Sequence, residues 1–259
     1  MSKLMINQIP ASAAEDTQWK DLFSIAGVST LIMVALIPLQ IIVYITWQIP
    51  ESAIESFTLF QDNKLYGLLA LELPYLVSNV LSIPLYLALF IALRRVNQSV
   101  MAIATVLGLI AIAIIFSARP TFDMLYLSDQ FAATTTQAQR ALLLAAGEAK
   151  LALIYGTAQQ THYVLGSLAL LFISIIMLQS NLFSKTTAYM GIIANLLVFG
   201  LYVPVIGIYL SIFSVFPFLT LWLILTALQF LKLGRSKGRV IITAGDVLPE
   251  TSLIQETRV

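Results

Sequence analysis

Long apolar runs, closed off by short polar clusters, dominate the pattern of this chain. Between Lys150 and Lys185 no Asp, Glu, Lys or Arg occurs. That interval is longer than the roughly 20 apolar residues that cross a bilayer core, and it predicts a transmembrane helix over 151–179. The same criterion predicts spans at 22–47, 66–93 and 99–116. The uncharged stretch from Lys185 to Lys232 is long enough for two more, 187–210 and 214–231. A signal peptide competes for the first run, but its apolar region would be about 7–15 residues, and no small-residue cleavage site follows. Pro74 and Pro84 interrupt the second span, where proline removes a backbone hydrogen bond and bends the helix. Ala104 and Gly108 form a small-xxx-small pair in the third, which lets a neighbouring helix approach closely. Pro204, Gly207, Ser211, Ser214 and Pro217 mark the turn between the last two spans.

Two of the polar connections carry helical signals. Residues 49–64 hold a short surface helix starting at Ser52. The second half of 118–150, from Gln137, reads as helical with a threonine available as its N-cap. The pattern leaves open whether this segment lies on the surface, re-enters the membrane or extends the fourth helix outward. Six spans put both ends of the chain on one side. The basic residues gather there, with Arg94, Arg95, Lys185 and the run Lys232, Arg235, Lys237 and Arg239, while Lys64, Arg119, Arg140 and Lys150 fall opposite. The positive-inside rule then places both termini in the cytoplasm. The predicted fold is an all-α bundle of six spans in a membrane domain at 22–232. A cytoplasmic arm at 1–21 precedes it, a cytoplasmic tail at 233–259 follows it, and the helical segment between spans three and four lies outside.

Composition agrees with this class. Apolar residues make up 59% of the chain and charged residues 10%, against roughly 45–50% and 25% in soluble domains. A net charge of +1 gives no field that would favour nucleic acid. The absence of cysteine excludes disulfides, thiolate metal sites and Cys nucleophiles. A single histidine excludes sites built on several imidazoles.

Candidate chemistry lies on two helix faces. Glu72, Tyr75, Asn79, Ser82 and Tyr86 recur at spacings of three and four, as do Tyr155, Gln159, His162 and Gly166. An ionisable group at membrane depth costs roughly 2.5–3.5 kcal/mol on insertion scales, so it faces the bundle interior or water and takes a partner. Both faces fall in the outer half of the predicted bundle, with Gln40, Tyr44, Tyr202 and Tyr209. The expectation is an outward-facing polar pocket whose ligand-binding residues are Glu72, Tyr75, Asn79, Tyr155, Gln159, His162 and Tyr202. Plainer readings stand beside it: Glu72 at headgroup level paired with Lys64, His162 as a neutral hydrogen-bonded link between helices, and the tyrosines as an interfacial belt. Arg140 and Glu148 are two helical turns apart, too distant to pair, and are expected to be solvated or to face headgroups. No catalytic residue is assigned, since Ser167 near His162 lacks a supporting motif and no span carries an Asp. No metal site is assigned either, and no cofactor is indicated.

The runs LFQDNKLYGLLALELPYL, LYLALFIALRRVN, MLYLSDQF, RALLLAAGEAKLALIYGTAQQTHYVLG and FSKTTAYMGI resemble the bacterial integral-membrane proteins grouped as domain-of-unknown-function family 4386. The likeness covers most of 21–235. It implies a multi-pass protein of a bacterial cell membrane and assigns no role to any residue. The functions compatible with the pattern are binding or transport of a small molecule or lipid, a non-enzymatic assembly or signalling role, and an outer-leaflet enzyme using His162 as general base oriented by Glu72. The partners expected are membrane lipids and either another protein or a second copy of this chain, with no nucleic acid.

Overall fold

The structure is a computed structural model that describes residues 19–46 and 49–235. The N-terminal arm, Trp47, the side chain of Tyr44 and the C-terminal tail, and with them Lys3, Lys237 and Arg239, lie outside the described residues. Among the described residues the regular structure is helical, without strands. Helices α1 (Lys20–Thr46), α2 (Ala53–Asp62), α3 (Lys64–Ala70) and α4 (Leu73–Leu93) are followed by α5 (Gln98–Ala118), α6 (Thr121–Ala133) and α7 (Gln137–Leu151). Then come α8 (Thr157–Gln179), α9 (Lys185–Val198), α10 (Gly207–Phe213) and α11 (Thr220–Arg235). A π-helical turn, Ser214–Leu219, joins the last two into one helical run.

Many of these helices begin where a side chain satisfies their free N–H groups. Ser52, Asn63, Asn97, Thr136 and Ser184 each accept from a backbone N–H in the first turn that follows, a contact worth about 1 kcal/mol. The break between α3 and α4 has a different origin. Glu72 sits there with φ 64° and ψ 32°, and Pro74 occupies the first turn of α4, where proline fits because no internal hydrogen bond is lost. The predicted second span at 66–93 is therefore two helices, and Pro74 starts the second instead of bending it.

Among the described residues five helical stretches are long and apolar enough to cross a membrane: Lys20–Val43, Leu73–Leu93, and parts of Gln98–Ala133, Gln137–Gln179 and Tyr209–Arg235. The run expected at 187–210 is shorter. Helix α9 has 14 residues, about 21 Å at 1.5 Å per residue, and a 3-10 turn, Phe199–Tyr202, continues it. The chain then reverses at Val203–Ile206, before Ser214 and Pro217, which lie inside the final helical run.

The long helices pack in neighbouring pairs: α11 along α1, α1 against α4, α5 along α8, and α8 against α9. Phe23 and Phe230 stack at 5.7 Å, and Gly234 lies against Ser24, so the start of α1 and the end of α11 meet at one end of the bundle. Gly108 is needed for close approach, because a Cβ there would overlap the Tyr86 ring. At the other end α2, α3, α6 and α7 form a helical cap with its own apolar core of Phe57, Phe60, Leu71, Met124, Leu151 and Ile154. Helix α7 packs on α2 and α6. A 3-10 turn, Ala152–Tyr155, and the extended Gly156 separate it from α8. Glu148 is exposed, as expected, and its Oε1 also accepts from the Ala53 N–H at 2.8 Å, which closes the start of α2. Arg140 lies over the Phe131 ring and donates to the Thr134 carbonyl.

Candidate functional site

Three helix ends meet beneath the cap. The α3–α4 break presents Glu72, the end of α5 presents Arg119, and the first turns of α8 present Gln159 and His162. Arg119 follows the last residue of α5 and precedes Pro120, which prevents the helix from continuing. Its side chain is 6% exposed and its Nη1 lies 2.7 Å from Glu72 Oε2, with the Glu72 side chain 28% exposed. The contact is ionic but off the hydrogen-bonding direction. Glu72 Oε2 and Arg119 Nε and Nη1 consequently keep unused hydrogen-bonding capacity among the described residues. The expected Lys64 partnership does not form: Lys64 pairs with Asp129 at 2.8 Å.

A chain of contacts runs inward from the ion pair. The Arg119 guanidinium carbon lies 5.2 Å from the centroid of the Tyr75 ring, within the range of a cation–π attraction. Tyr75 Oη is 2.8 Å from His162 Nε2, and His162 Nδ1 is 2.9 Å from the Ala111 carbonyl oxygen. A carbonyl only accepts, so Nδ1 carries the hydrogen. In the neutral imidazole Nε2 is then the acceptor and the Tyr75 hydroxyl donates to it. His162 thus ties α4 and α5 to α8 with both ring nitrogens engaged. The lone pair that a general base would use is occupied in this arrangement.

Of the predicted site residues, Glu72, Tyr75 and His162 come together in this network. Asn79 donates back to the Tyr75 carbonyl at 3.0 Å, within its own helix. Gln159 is 4% exposed, and its Oε1 has no hydrogen-bond partner among the described residues. Tyr155 does not join them. It sits in the 3-10 turn before α8 and is 77% exposed, because the helical register assumed for it stops at Gly156. Tyr202 is 51% exposed and donates to Gln160 Oε1 at 3.0 Å, which fastens the turn after α9 to α8. Arg119 is the member that sequence reasoning missed. Its signal was a lone cation closing an apolar helix directly before a proline.

A small open cleft adjoins the network between α1 and the α3–α4 break, lined by Gln40, Val43, Ile49, Leu69, Ala70, Glu72, Pro74 and Tyr75. Gln40 Nε2 donates to Ser78 Oγ at 3.2 Å, linking α1 to α4. The Thr121 hydroxyl donates to the Leu71 carbonyl and pins the break from the cap side. Among the described residues no group of three or more His, Cys, Asp or Glu is placed to hold a metal ion. Comparison with known protein families, curated proteins and solved structures gives no match.

Proposed function

We propose that the chain is a six-pass protein of a bacterial cell membrane that binds a small molecule or lipid headgroup in the cleft beside Glu72. The observation that carries this reading is that Glu72, held to Arg119 by an ionic contact without full hydrogen bonding, also lines an open cleft. A buried pair that served stability alone would gain from full hydrogen bonding on both sides. The sixth crossing is α9 with its 3-10 turn. The meeting of α1 and α11 at one end of the bundle supports an even number of crossings. Arg94, Arg95, Lys185, Lys232 and Arg235 favour that end as the cytoplasmic one, with the cap and the cleft outside. The resemblance quoted above supports the bacterial, multi-pass part of this reading.

The test is native mass spectrometry of the full chain released from lipid nanodiscs. A bound adduct is expected on the wild type and is expected to disappear in Glu72→Gln. Retention of the same adduct by the variant would remove the cleft from consideration. A second reading, an assembly or signalling component, is favoured by the closed Tyr75–His162–Ala111 chain, which needs no ligand to be complete. Under that reading neither form carries an adduct, and cross-linking captures a protein partner or a second copy.

A further inference from the structure

We infer that the cleft takes the ammonium group of an amphipathic amine, with Glu72 as its acceptor; this rests on the binding role proposed above. The sign of the cleft wall carries the inference. Gln40 spends an amide N–H on Ser78, and the Tyr75 hydroxyl spends its hydrogen on His162. The Tyr75 hydroxyl is turned inward to His162, so what the lining residues keep as acceptors are the Gln40 carbonyl oxygen and the Glu72 carboxylate, and Glu72 is the charged residue among them. Arg119 does not line the cleft; its guanidinium lies over the Tyr75 ring and against Glu72. An anionic headgroup entering here meets Glu72 before it reaches the guanidinium. A primary ammonium, with three donors and a positive charge, complements the Glu72 carboxylate and the Gln40 carbonyl oxygen.

The conformation of Glu72 points the same way. It holds a left-handed backbone that non-glycine residues adopt rarely, and its carboxylate does not cap the helix it precedes. Among the described residues the ionic contact with Arg119 is what holds the side chain, so an incoming cation competes with that contact. The rest of the wall is apolar, with Val43, Leu69 and Pro74, and α1 exposes Leu39 and Ile42 on an adjoining face. A cleft this small admits a headgroup while an alkyl chain follows the apolar side of α1. The shared chemistry is a primary ammonium on an apolar tail, found in a free long-chain amine and in an aminophospholipid.

The test is titration calorimetry on the full chain in phosphatidylcholine nanodiscs, with empty discs as blanks. The probes are dodecylammonium, dodecanol and dodecyl phosphate. Saturable dodecylammonium binding about tenfold tighter than dodecanol is expected, the size of one charge-assisted hydrogen bond. It should be lost in Glu72→Gln and weakened several-fold in Gln40→Leu, which leaves the ion pair intact and serves if the first variant does not fold. Equal binding of amine and alcohol overturns the inference. Preferential binding of dodecyl phosphate overturns it too, while leaving a cleft ligand in place. No saturable binding of any probe overturns both readings. Discs containing phosphatidylethanolamine separate the sources: weakened dodecylammonium binding there assigns the site to a lipid headgroup, and unchanged binding assigns it to a free amine.

Discussion

Arg119 touches Glu72 through Nη1 at 2.7 Å and at the same time lies over the Tyr75 ring, 5.2 Å from its centroid. One cation therefore holds the end of α5 to the break before α4. Removing it leaves the Glu72 carboxylate without its counter-charge. Arg119→Ala is expected to lower stability by about 3 kcal/mol, the low end for a broken buried pair because Glu72 is partly exposed. Glu72→Gln combined with Arg119→Gln should cost less than either change alone. Equilibrium unfolding in mixed micelles measures this, and additive losses would show that the two residues are uncoupled.

His162 bridges Tyr75 and Ala111, so its contribution is shared with the tyrosine. His162→Phe and Tyr75→Phe should each destabilise the protein, and the double variant should lose less than the sum. The coupling expected is about 0.6 kcal/mol, the average for interhelical hydrogen bonds in membranes, and at most about 1.7 kcal/mol. A double-mutant cycle reads it directly, and zero coupling would refute the bond.

Tyr86 occupies the space over Gly108. Gly108→Ala should destabilise by about 1–3 kcal/mol through overpacking. Tyr86→Leu in the same chain should recover part of that loss. Thermal unfolding of the three variants decides whether the clash is local.

Val205 carries a β-branched side chain at φ 70° and is 91% exposed. The left-handed region costs non-glycine residues about 1–2 kcal/mol, and an exposed side chain offers little packing in return. Val205→Gly is expected to stabilise the protein by about 1 kcal/mol, since the entropy lost by glycine offsets part of the strain relief. A lower unfolding midpoint would contradict the backbone conformation.

The absence of cysteine makes a clean topology test possible. Thr135 and Gln98 are exposed at opposite ends of the bundle, in the cap and at the start of α5. Thr135→Cys should react with a membrane-impermeant maleimide on whole cells, and Gln98→Cys only after lysis. The reverse pattern would invert the orientation proposed.

Much of the helical layout is legible in residues such as Ser52 and Thr136, because a helix start is a local event that a capping side chain announces. The close approach at Gly108 is legible for the same reason. Other features depend on information that the pattern lacks. Glu72, Tyr75 and Asn79 keep their three- and four-residue spacing whether the helix begins at 66 or 73, so periodicity cannot reveal the break. No glycine or asparagine advertises the left-handed turn at Glu72. Tyr155 fits the spacing of His162 only if the helix runs through Gly156, which is extended. Arg119 reads as an ordinary charge at a span end, and its pairing depends on how α5 meets α4. Pro204 and Gly207 do mark the reversal, whereas Ser214 and Pro217 are taken into the final helical run, a choice that turn-forming residue types alone do not make.

Leu71 and Glu72 are adjacent in the chain yet belong to different bodies. The Leu71 side chain is set in the apolar core of the cap, and its carbonyl is held by Thr121, while the next residue supplies the carboxylate of the cleft. A single peptide bond thus separates the cap core from the cleft. The packing of the cap core around Leu71 therefore sets the position of the Glu72 carboxylate one residue on.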